Sequence, residues 1–259
     1  MTTLPFVKMH GLGNDYIYID CFSQDTASFI AKADLADLAR RMSDRHFGIG
    51  SDGLVLILPD KSADASMRIF NSDGSEAEMC GNAIRCVAKY MYESGLSKNI
   101  HMEIRTRAGL RTLSLQAFNG VVEQVTVNMG IPVIEPATLL SETDPIGYTS
   151  VNMGNPHAVF FREGVSPLPE DTNVEFVRVR NGQELDVRVI ERGSGETLAC
   201  GTGACASAVA AIFHGLAERN VTVHLPGGDL KIQWKENTFP VYMTGSATEV
   251  FRGEWKGEK

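Results

Sequence analysis

SEAEMCGNAIRC (residues 75–86) and GETLACGTGACASA (residues 195–208) decide how this chain is read. Each runs from a Glu through three residues to a Cys followed by Gly. Glu76, Cys80 and Gly81 recur as Glu196, Cys200 and Gly201, a constant 120 residues later. A helical pattern follows each Cys. After Cys80, residues Ala83, Ile84, Val87, Ala88 and Met91 share one face, and Gly95 supplies a stop signal. After Cys200 the pattern is more apolar: Ala204, Cys205, Ala208, Val209, Ala211 and Ile212 leave almost no polar face. A helix apolar nearly all round is a buried one, with sheet on several sides.

The repetition continues outward. NIHMEI from Asn99 matches NVTVHL from Asn220, each a strand pattern followed by a glycine turn and a second strand, LRTLSL or LKIQW. Upstream, MRIFNSDGSE and DVRVIERGSGE are each a strand entering a glycine-containing loop. Farther back, GLGNDYIYID and MGNPHAVFF are each a Gly–Asn loop entering a strand. Strands and helices mix without strict alternation, so the fold class expected is α+β, built as two pseudo-symmetric half-domains with a helix under a mixed sheet in each. Residues 129–148 hold three prolines and read partly as connector. ADLADLARRMSDR is a further helix with Asp34 as its cap.

Composition limits the classes of function. A chain of 259 residues, 43% hydrophobic, has room for two ordinary domains. The net charge of −8 and the absence of a Lys/Arg-rich run argue against nucleic acid and anionic membrane surfaces as partners. MTTLPFVKMHGLG carries no signal-peptide pattern, and no apolar run approaches the ~20 residues of a membrane span, so a cytoplasmic protein is expected. Five cysteines, an odd count, then read as thiols rather than a disulfide framework.

Each repeated Cys stands at a helix start, where unpaired backbone N–H groups and a partial positive charge lower a thiol pKa and cradle an anion. Gly at the next position lets a ligand approach the backbone. Asn82 and Thr202 add short polar side chains at the same turns. Two such sites in related halves point to two thiols facing one cleft. Opposed bases invert a carbon stereocentre: a thiolate removes the proton from one face, and a thiol returns one to the other. Amides aimed at the substrate carboxylate would stabilise the charge that forms. No pyridoxal phosphate, flavin or metal is required.

The motifs NSDGSEAEMCGNAIRC, ERGSGETLACGTGAC, KMHGLGNDY and MGNPHAV closely resemble those of the diaminopimelate epimerases, cofactor-independent amino-acid racemases. The resemblance covers nearly the whole chain, in order. It implies two half-domains, each a sheet wrapped on a central helix, and a cleft between them. It implies that Cys80 and Cys200 are the acid/base pair, that His157 and Glu191 assist them, and that Asn14, Asn71, Asn155, Asn173, Glu191 and Arg192 hold the substrate. The amides around Gly81–Asn82 and Gly201–Thr202 would bind the carboxylate at the reacting centre. Some members carry Gln where this chain has Gly53. The N-terminal half (1–119) would be completed by the last strand (247–259), leaving 120–246 as the C-terminal half. The implied reaction interconverts LL- and meso-2,6-diaminopimelate, on the way to lysine and peptidoglycan precursors. The implied partner is that small molecule, and a homodimer is among the assemblies allowed.

Plainer readings stand beside these. Cys21, Cys86 and Cys205 read as buried structural thiols. The cysteine spacings are wider than those of paired zinc thiolates. GLGND lacks the three-glycine spacing of a dinucleotide loop. His10, His46, His101, His214 and His224 show no ligand spacing. A racemase of another amino acid, of the proline type, and a non-catalytic binding module on the same fold are the alternative functions. The polar set Arg192, Glu191, Asn71, Asn155 and Asn173 favours diaminopimelate over the first, because its distal end needs a cation and hydrogen-bonding groups. The presence of both thiols argues against the second.

Overall fold

The computed structural model describes residues 3–139, 147–162, 168–169 and 171–256. The chain divides into two compact units, residues 1–126 with 246–259, and residues 127–245.

In the first unit, β1 (Leu4–Gly11) and β2 (Asn14–Asp20) form an antiparallel hairpin. Its two turn residues, Leu12 and Gly13, both have positive φ, 58° and 85°, the two-residue turn that matches strand twist. β2 runs parallel to β3 (Gly53–Leu58), and β3 antiparallel to β4 (Ala65–Asn71). The short β5 (Glu76–Ala77) pairs with β4. β6 (His101–Thr106) lies parallel to β4 and turns back antiparallel into β7 (Gly109–Phe118). Two helices, α1 (Gln24–Ile30) and α2 (Leu35–Ser43), connect β2 to β3, and α3 (Gly81–Glu93) connects β5 to β6. β8 (Val121–Gly130) then leads out of the unit.

The second unit repeats this series. β9 (Val133–Leu139) is followed by β10 (Gly147–Asn152), β11 (Pro156–Phe160), β12 (Asn173–Asn181), β13 (Glu184–Glu191) and β14 (Gly195–Thr197), then α4 (Gly201–Phe213), β15 (Asn220–Leu225), β16 (Gly228–Gln233) and β17 (Val241–Gly245). The pairings β10–β11 antiparallel, β11–β12 parallel, β12–β13 antiparallel, β13–β14 antiparallel, β13–β15 parallel and β15–β16 antiparallel copy those of the first unit strand for strand. β9 flanks β10 antiparallel. In the first unit the chain's last strand, β18 (Thr248–Trp255), takes the matching place antiparallel to β1. The duplication read from two cysteine loops is thus a duplication of topology.

Each unit buries one helix against its sheet. α3 is buried from Gly81 to Met91 and packs on β1, β2 and β7. α4 is buried at Gly201 and from Gly203 to Ile212, and touches β10, β11, β12, β13, β15, β16 and β17. Its five alanines between 204 and 211 let strands approach on several sides. The back of the first sheet is covered as well. Ile17, Ile19, Leu54, Leu56 and Phe70 form a second core with Ile30 of α1 and Leu38, Ala39 and Met42 of α2. β3 is therefore buried at both faces and reads as an unbroken apolar run, GLVLIL. In the second unit a smaller cluster, Ala158, Phe160, Val174 and Phe176, has no helix over it among the described residues.

Asp34 caps α2 by accepting from the Asp37 N–H at 3.1 Å, as the sequence leads one to expect. The sequence reading passed over α1, whose cap is Ser23, accepting from the Thr26 N–H at 3.2 Å. Its seven residues are too few to declare a helical period. The stretch 129–148, read partly as connector, contains strand β9 paired with β10, while residues 140–146 lie outside the described ones. No helix among the described residues is long and apolar enough to cross a membrane. Neither a disulfide nor a cluster of three or more His, Cys, Asp and Glu placed to hold a metal occurs among them.

Candidate active site

Cys80 and Cys200 are the N-cap residues of α3 and α4, both with extended backbone (φ −136°, ψ 122° and φ −115°, ψ 115°). A Cys in that conformation stands at the mouth of the helix, beside the N–H groups of the first turn. At Cys200 the arrangement is realised: its Sγ accepts from the Gly203 N–H at 3.3 Å and lies 3.4 Å from Thr202 Oγ1. At Cys80 no such cap bond forms, and Sγ instead lies 3.5 Å from Asn14 Oδ1.

Around Cys80 the groups are mostly neutral. Asn82, almost fully buried, donates to Asn14 Oδ1 at 3.4 Å, and Asn14 donates to Asp52 Oδ2 at 2.8 Å. Asp52 also accepts from the Asp15 N–H and pairs with Arg45 at 2.9 Å. Burial above all holds its carboxyl above the ordinary range, and Asp15 nearby adds to this. Below the turn lies Arg85, 0% exposed, which donates to the carbonyls of Gly81 and Ser246 at 3.1 Å each and to Asn82 Oδ1 at 2.9 Å. A Cβ on Gly11 would come within 2.8 Å of that guanidinium. Asn71, half-buried at the end of β4, donates to Ser75 Oγ at 2.9 Å.

Around Cys200 the groups are acidic and more deeply buried. His157 Nδ1 lies 2.7 Å from Glu175 Oε1, both side chains fully enclosed, and His157 Nε2 lies 3.2 Å from Asn155 Oδ1. Gly203 faces this pair: a Cβ there would stand 2.7 Å from Glu175 Oε1 and 3.3 Å from Cys200 Sγ. Only glycine leaves room for a carboxylate against the helix start. Glu191 accepts from Thr197 Oγ1 at 2.6 Å. Asn173 accepts from the Arg192 N–H at 3.0 Å and donates to the Pro156 carbonyl at 3.3 Å. The exposed Arg192 side chain donates to the carbonyl of Asp171 at 3.3 Å.

One expectation is corrected here. A helix N-terminus was expected to lower the thiol pKa, yet Cys200 is pushed well above an ordinary thiol. Burial is the largest cause, and the carboxylates of Glu191 and Glu175 add to it. The hydrogen bonds from Thr202 and the Gly203 N–H act the other way and are outweighed. The cysteines read as structural behave likewise: burial pushes Cys21 up to about 12 and Cys86 up to about 11.

The structure thus places Asn14, Gly81 and Asn82 around Cys80, and His157, Asn155, Asn173, Glu191, Gly201 and Thr202 on the strand ends and turn around Cys200. Three residues that sequence reasoning missed join them: Tyr16, Asp52 and Glu175. A strand-period signal was available for two of these. Tyr16 lies two positions after Asn14 and Glu175 two after Asn173, so each shares a strand face with a residue already singled out. Gly53 has no room for a side chain. A Cβ there would stand 2.2 Å from the Phe70 carbonyl and 2.9 Å from Tyr16 Cε1.

The family model of diaminopimelate epimerase matches residues 6–135 and 162–250. This chain belongs to the diaminopimelate epimerase family. A diaminopimelate epimerase of Acetivibrio thermocellus is 48% identical over 280 residues, covering 97% of this chain and 98% of that protein. One of Methanococcus maripaludis is 48% identical, with 97% and 99% covered. Among solved structures, a hydroxyproline epimerase of Agrobacterium vitis superposes with a TM-score of 0.70 at 15% identity, over 98% of this chain and 92% of that one. A PhzF-family phenazine biosynthesis protein of Bacillus anthracis gives 0.70 at 14%, over 98% and 99%. At such identities the likeness is one of fold. The diaminopimelate epimerase family therefore shares its duplicated architecture with proteins of quite different sequence.

Proposed function

We propose that this chain interconverts LL- and meso-2,6-diaminopimelate by two-base proton transfer at one α-carbon, with Cys80 and Cys200 as the bases. The observation that carries the reading is the pair of Cys–Gly helix starts at corresponding points of two units with the same strand order. Two related turns, each ending in a thiol beside backbone N–H groups, supply what an inversion needs. In one direction the Cys80 thiolate takes the α-proton and becomes a thiol. The Cys200 thiol gives its proton to the opposite face and becomes a thiolate. The reverse direction exchanges the roles. A Cys200 held protonated by burial and two carboxylates is suited to the acid role, and once deprotonated it is a stronger base than an ordinary thiolate.

The planar carbanion formed between the two steps spreads its charge onto the α-carboxylate. The amides of Gly81–Asn82 and Gly201–Thr202 would receive that carboxylate. His157 and Glu191 assist the thiols, and Asn14, Asn71, Asn155, Asn173, Glu191 and Arg192 hold the amino and carboxylate groups. No cofactor or metal takes part in this reading. The decisive assay follows LL-to-meso conversion by purified protein under reducing conditions, in deuterated water. One deuterium should enter the α-position of each product molecule. Conversion of proline or lysine at a rate equal to that of diaminopimelate would overturn the substrate assignment.

A further inference from the structure

Asp52 immediately precedes β3, and its backbone is bonded on both sides. Its N–H donates to the Asp15 carbonyl at 2.8 Å, and its carbonyl accepts from the Ser72 N–H at 3.0 Å. Its Oδ2 accepts from the Asp15 backbone N–H at 3.0 Å, a group that can only donate. The Asn14 side chain meets the same oxygen at 2.8 Å, so it presents its NH2 there. Its Oδ1 is thereby turned to Cys80, whose Sγ lies 3.5 Å away, and to the Asn82 NH2 at 3.4 Å. The orientation of Asn82 is fixed from the other end: Arg85, which can only donate, meets its Oδ1 at 2.9 Å. Two amides therefore form one directed chain, from a buried guanidinium through Asn82 and Asn14 to a carboxylate that the exposed Arg45 holds at 2.9 Å. The 2.8 Å bond to Asp52 is its shortest link. In the second unit the matching Asn155 turns its Oδ1 to His157 Nε2 instead.

We propose that Asp52 is a positioning residue for Cys80: it locks the Asn14 amide with Oδ1 toward the sulfur, so that the thiol finds an acceptor and the thiolate is denied the Asn14 NH2. The inference rests on the reading of Cys80 as a base. A thiol that donates to Oδ1 is held in one rotamer. A thiolate facing the same oxygen gains no hydrogen bond from Asn14 and keeps its basicity for the α-proton. A flipped amide would do the reverse: its NH2 would stabilise the thiolate and weaken the base. Removal of the Asp52 carboxylate favours the flip, because the Asp15 N–H then lacks its acceptor and competes for Asn14 Oδ1. The titratable and charged groups around Asp52 and Cys80 are Lys8 and His10 on β1, Asp15, Tyr16 and Tyr18 on β2, Arg45 after α2, and Arg85 and Cys86 on α3. Substitutions at position 52 leave all of these in place.

The test compares wild type, Asp52→Ala and Asp52→Asn by iodoacetamide alkylation across neutral to alkaline pH, with the modified cysteine identified by peptide mapping, alongside kcat. Asp52→Ala should lower the pH midpoint of Cys80 alkylation by about one unit, and kcat at neutral pH roughly tenfold. The Cys200 midpoint should stay put. Asp52→Asn loses the charge but retains an acceptor oxygen for both donors, and should recover most of each loss. With Asn14→Ala in place, Asp52→Ala should move the Cys80 midpoint no further. An unmoved midpoint, an equal shift in the two Asp52 variants, or an undiminished shift in the Asn14→Ala background overturns the proposal. Should Asp52→Ala fail to fold, the wild type is read directly by nitrogen-15 NMR. The Asn14 side-chain NH2, assigned by its loss from Asn14→Ala, should hold one slowly exchanging proton, and fast exchange of both overturns the proposal. Cys80→Ala separates this from the underlying reading. If that variant retains near-normal turnover, the base assignment fails. If it is inactive while Asp52→Ala leaves the Cys80 profile unchanged, only the role of Asp52 fails.

Discussion

The turns at Cys80 and Cys200 share a backbone and differ in what surrounds it. Both are N-caps in extended conformation at the head of a 13-residue buried helix. The first is only half-buried and meets the side-chain amide of Asn14, itself bonded to that of Asn82, with a fully buried guanidinium beneath. The second is 6% exposed and meets two carboxylates, Glu191 and Glu175, the latter paired with the His157 imidazole. The residue five positions after each Cys shows the divergence most simply: Arg85 in one helix, Cys205 in the other. A duplicated fold supplies geometry twice. The electrostatics of each copy were set separately.

The sharpest test of this pairing is removal of either sulfur. Cys80→Ala and Cys200→Ala should each lower epimerisation by roughly 10²–10⁴-fold, the usual contribution of a general acid or base, with thermal melting close to wild type. A variant that keeps near-normal turnover would reduce the two turns to one functional site and one relic.

Arg85 tests whether the first turn is held from below. Arg85→Leu leaves the Gly81 and Ser246 carbonyls without that donor in a buried setting. A loss of about 3–4 kcal/mol is expected, read as a fall in Tm of roughly 10 °C. Cys205→Ser, at the matching place in α4, should cost less, because it exchanges one small side chain for another of nearly the same size, whereas Arg85→Leu removes a buried charge and its five donors. Equal losses would mean that the two turns are supported alike.

The distal end of the substrate comes next. Arg192 is exposed, and its backbone is fixed by Asn173. Arg192→Met should lower kcat/KM for diaminopimelate by about 30-fold or more, since loss of a charged partner to a bound carboxylate costs roughly 2–5 kcal/mol. Stability should hardly change. Unaltered kcat/KM would move the distal carboxylate to other residues and leave Arg192 a surface side chain.

What was legible in the sequence followed from period and repetition. The apolar faces of α3 and α4, the hairpin β6–β7 and its counterpart β15–β16 all have long patterns with glycine stops, so local propensity and tertiary packing agree. α1 was missed because seven residues barely complete two turns. At the site, residues carried by motifs were found and those carried by a strand face were not. Glu175 sits in NVEFVRVR, where a charged residue reads as the solvent side of a strand. Its burial is explained only by His157, which reaches it from the parallel strand β11. The raised pKa of Cys200 was illegible for the same reason: it depends first on burial and then on carboxylates brought close by strand pairing, which together outweigh the helix start.

Glu175 offers the finest probe of the asymmetry. Its carboxyl lies above the ordinary value, chiefly through burial; His157 opposes the shift and the charge of Glu191 adds to it. Its Oε2 has no hydrogen-bond partner among the described residues. The sign follows directly. The folded chain holds this proton more tightly than the unfolded chain does, so stability falls as pH rises from the ordinary carboxylate value through the raised one, and stays lower above it. Glu175→Gln cannot ionise and should escape that loss. Near neutral pH its Tm should exceed that of wild type by a few degrees, the equivalent of about 1 kcal/mol, and the gap should close in acid. The same change removes one of the charges that raise Cys200, so the pH midpoint for alkylation of Cys200 should fall while that of Cys80 stays in place. Turnover should drop as His157 loses its anionic partner. If Tm shows no pH-dependent gap and the Cys200 midpoint does not move, the buried carboxylate is not what distinguishes the second turn from the first, and burial alone must account for the difference between the two thiols.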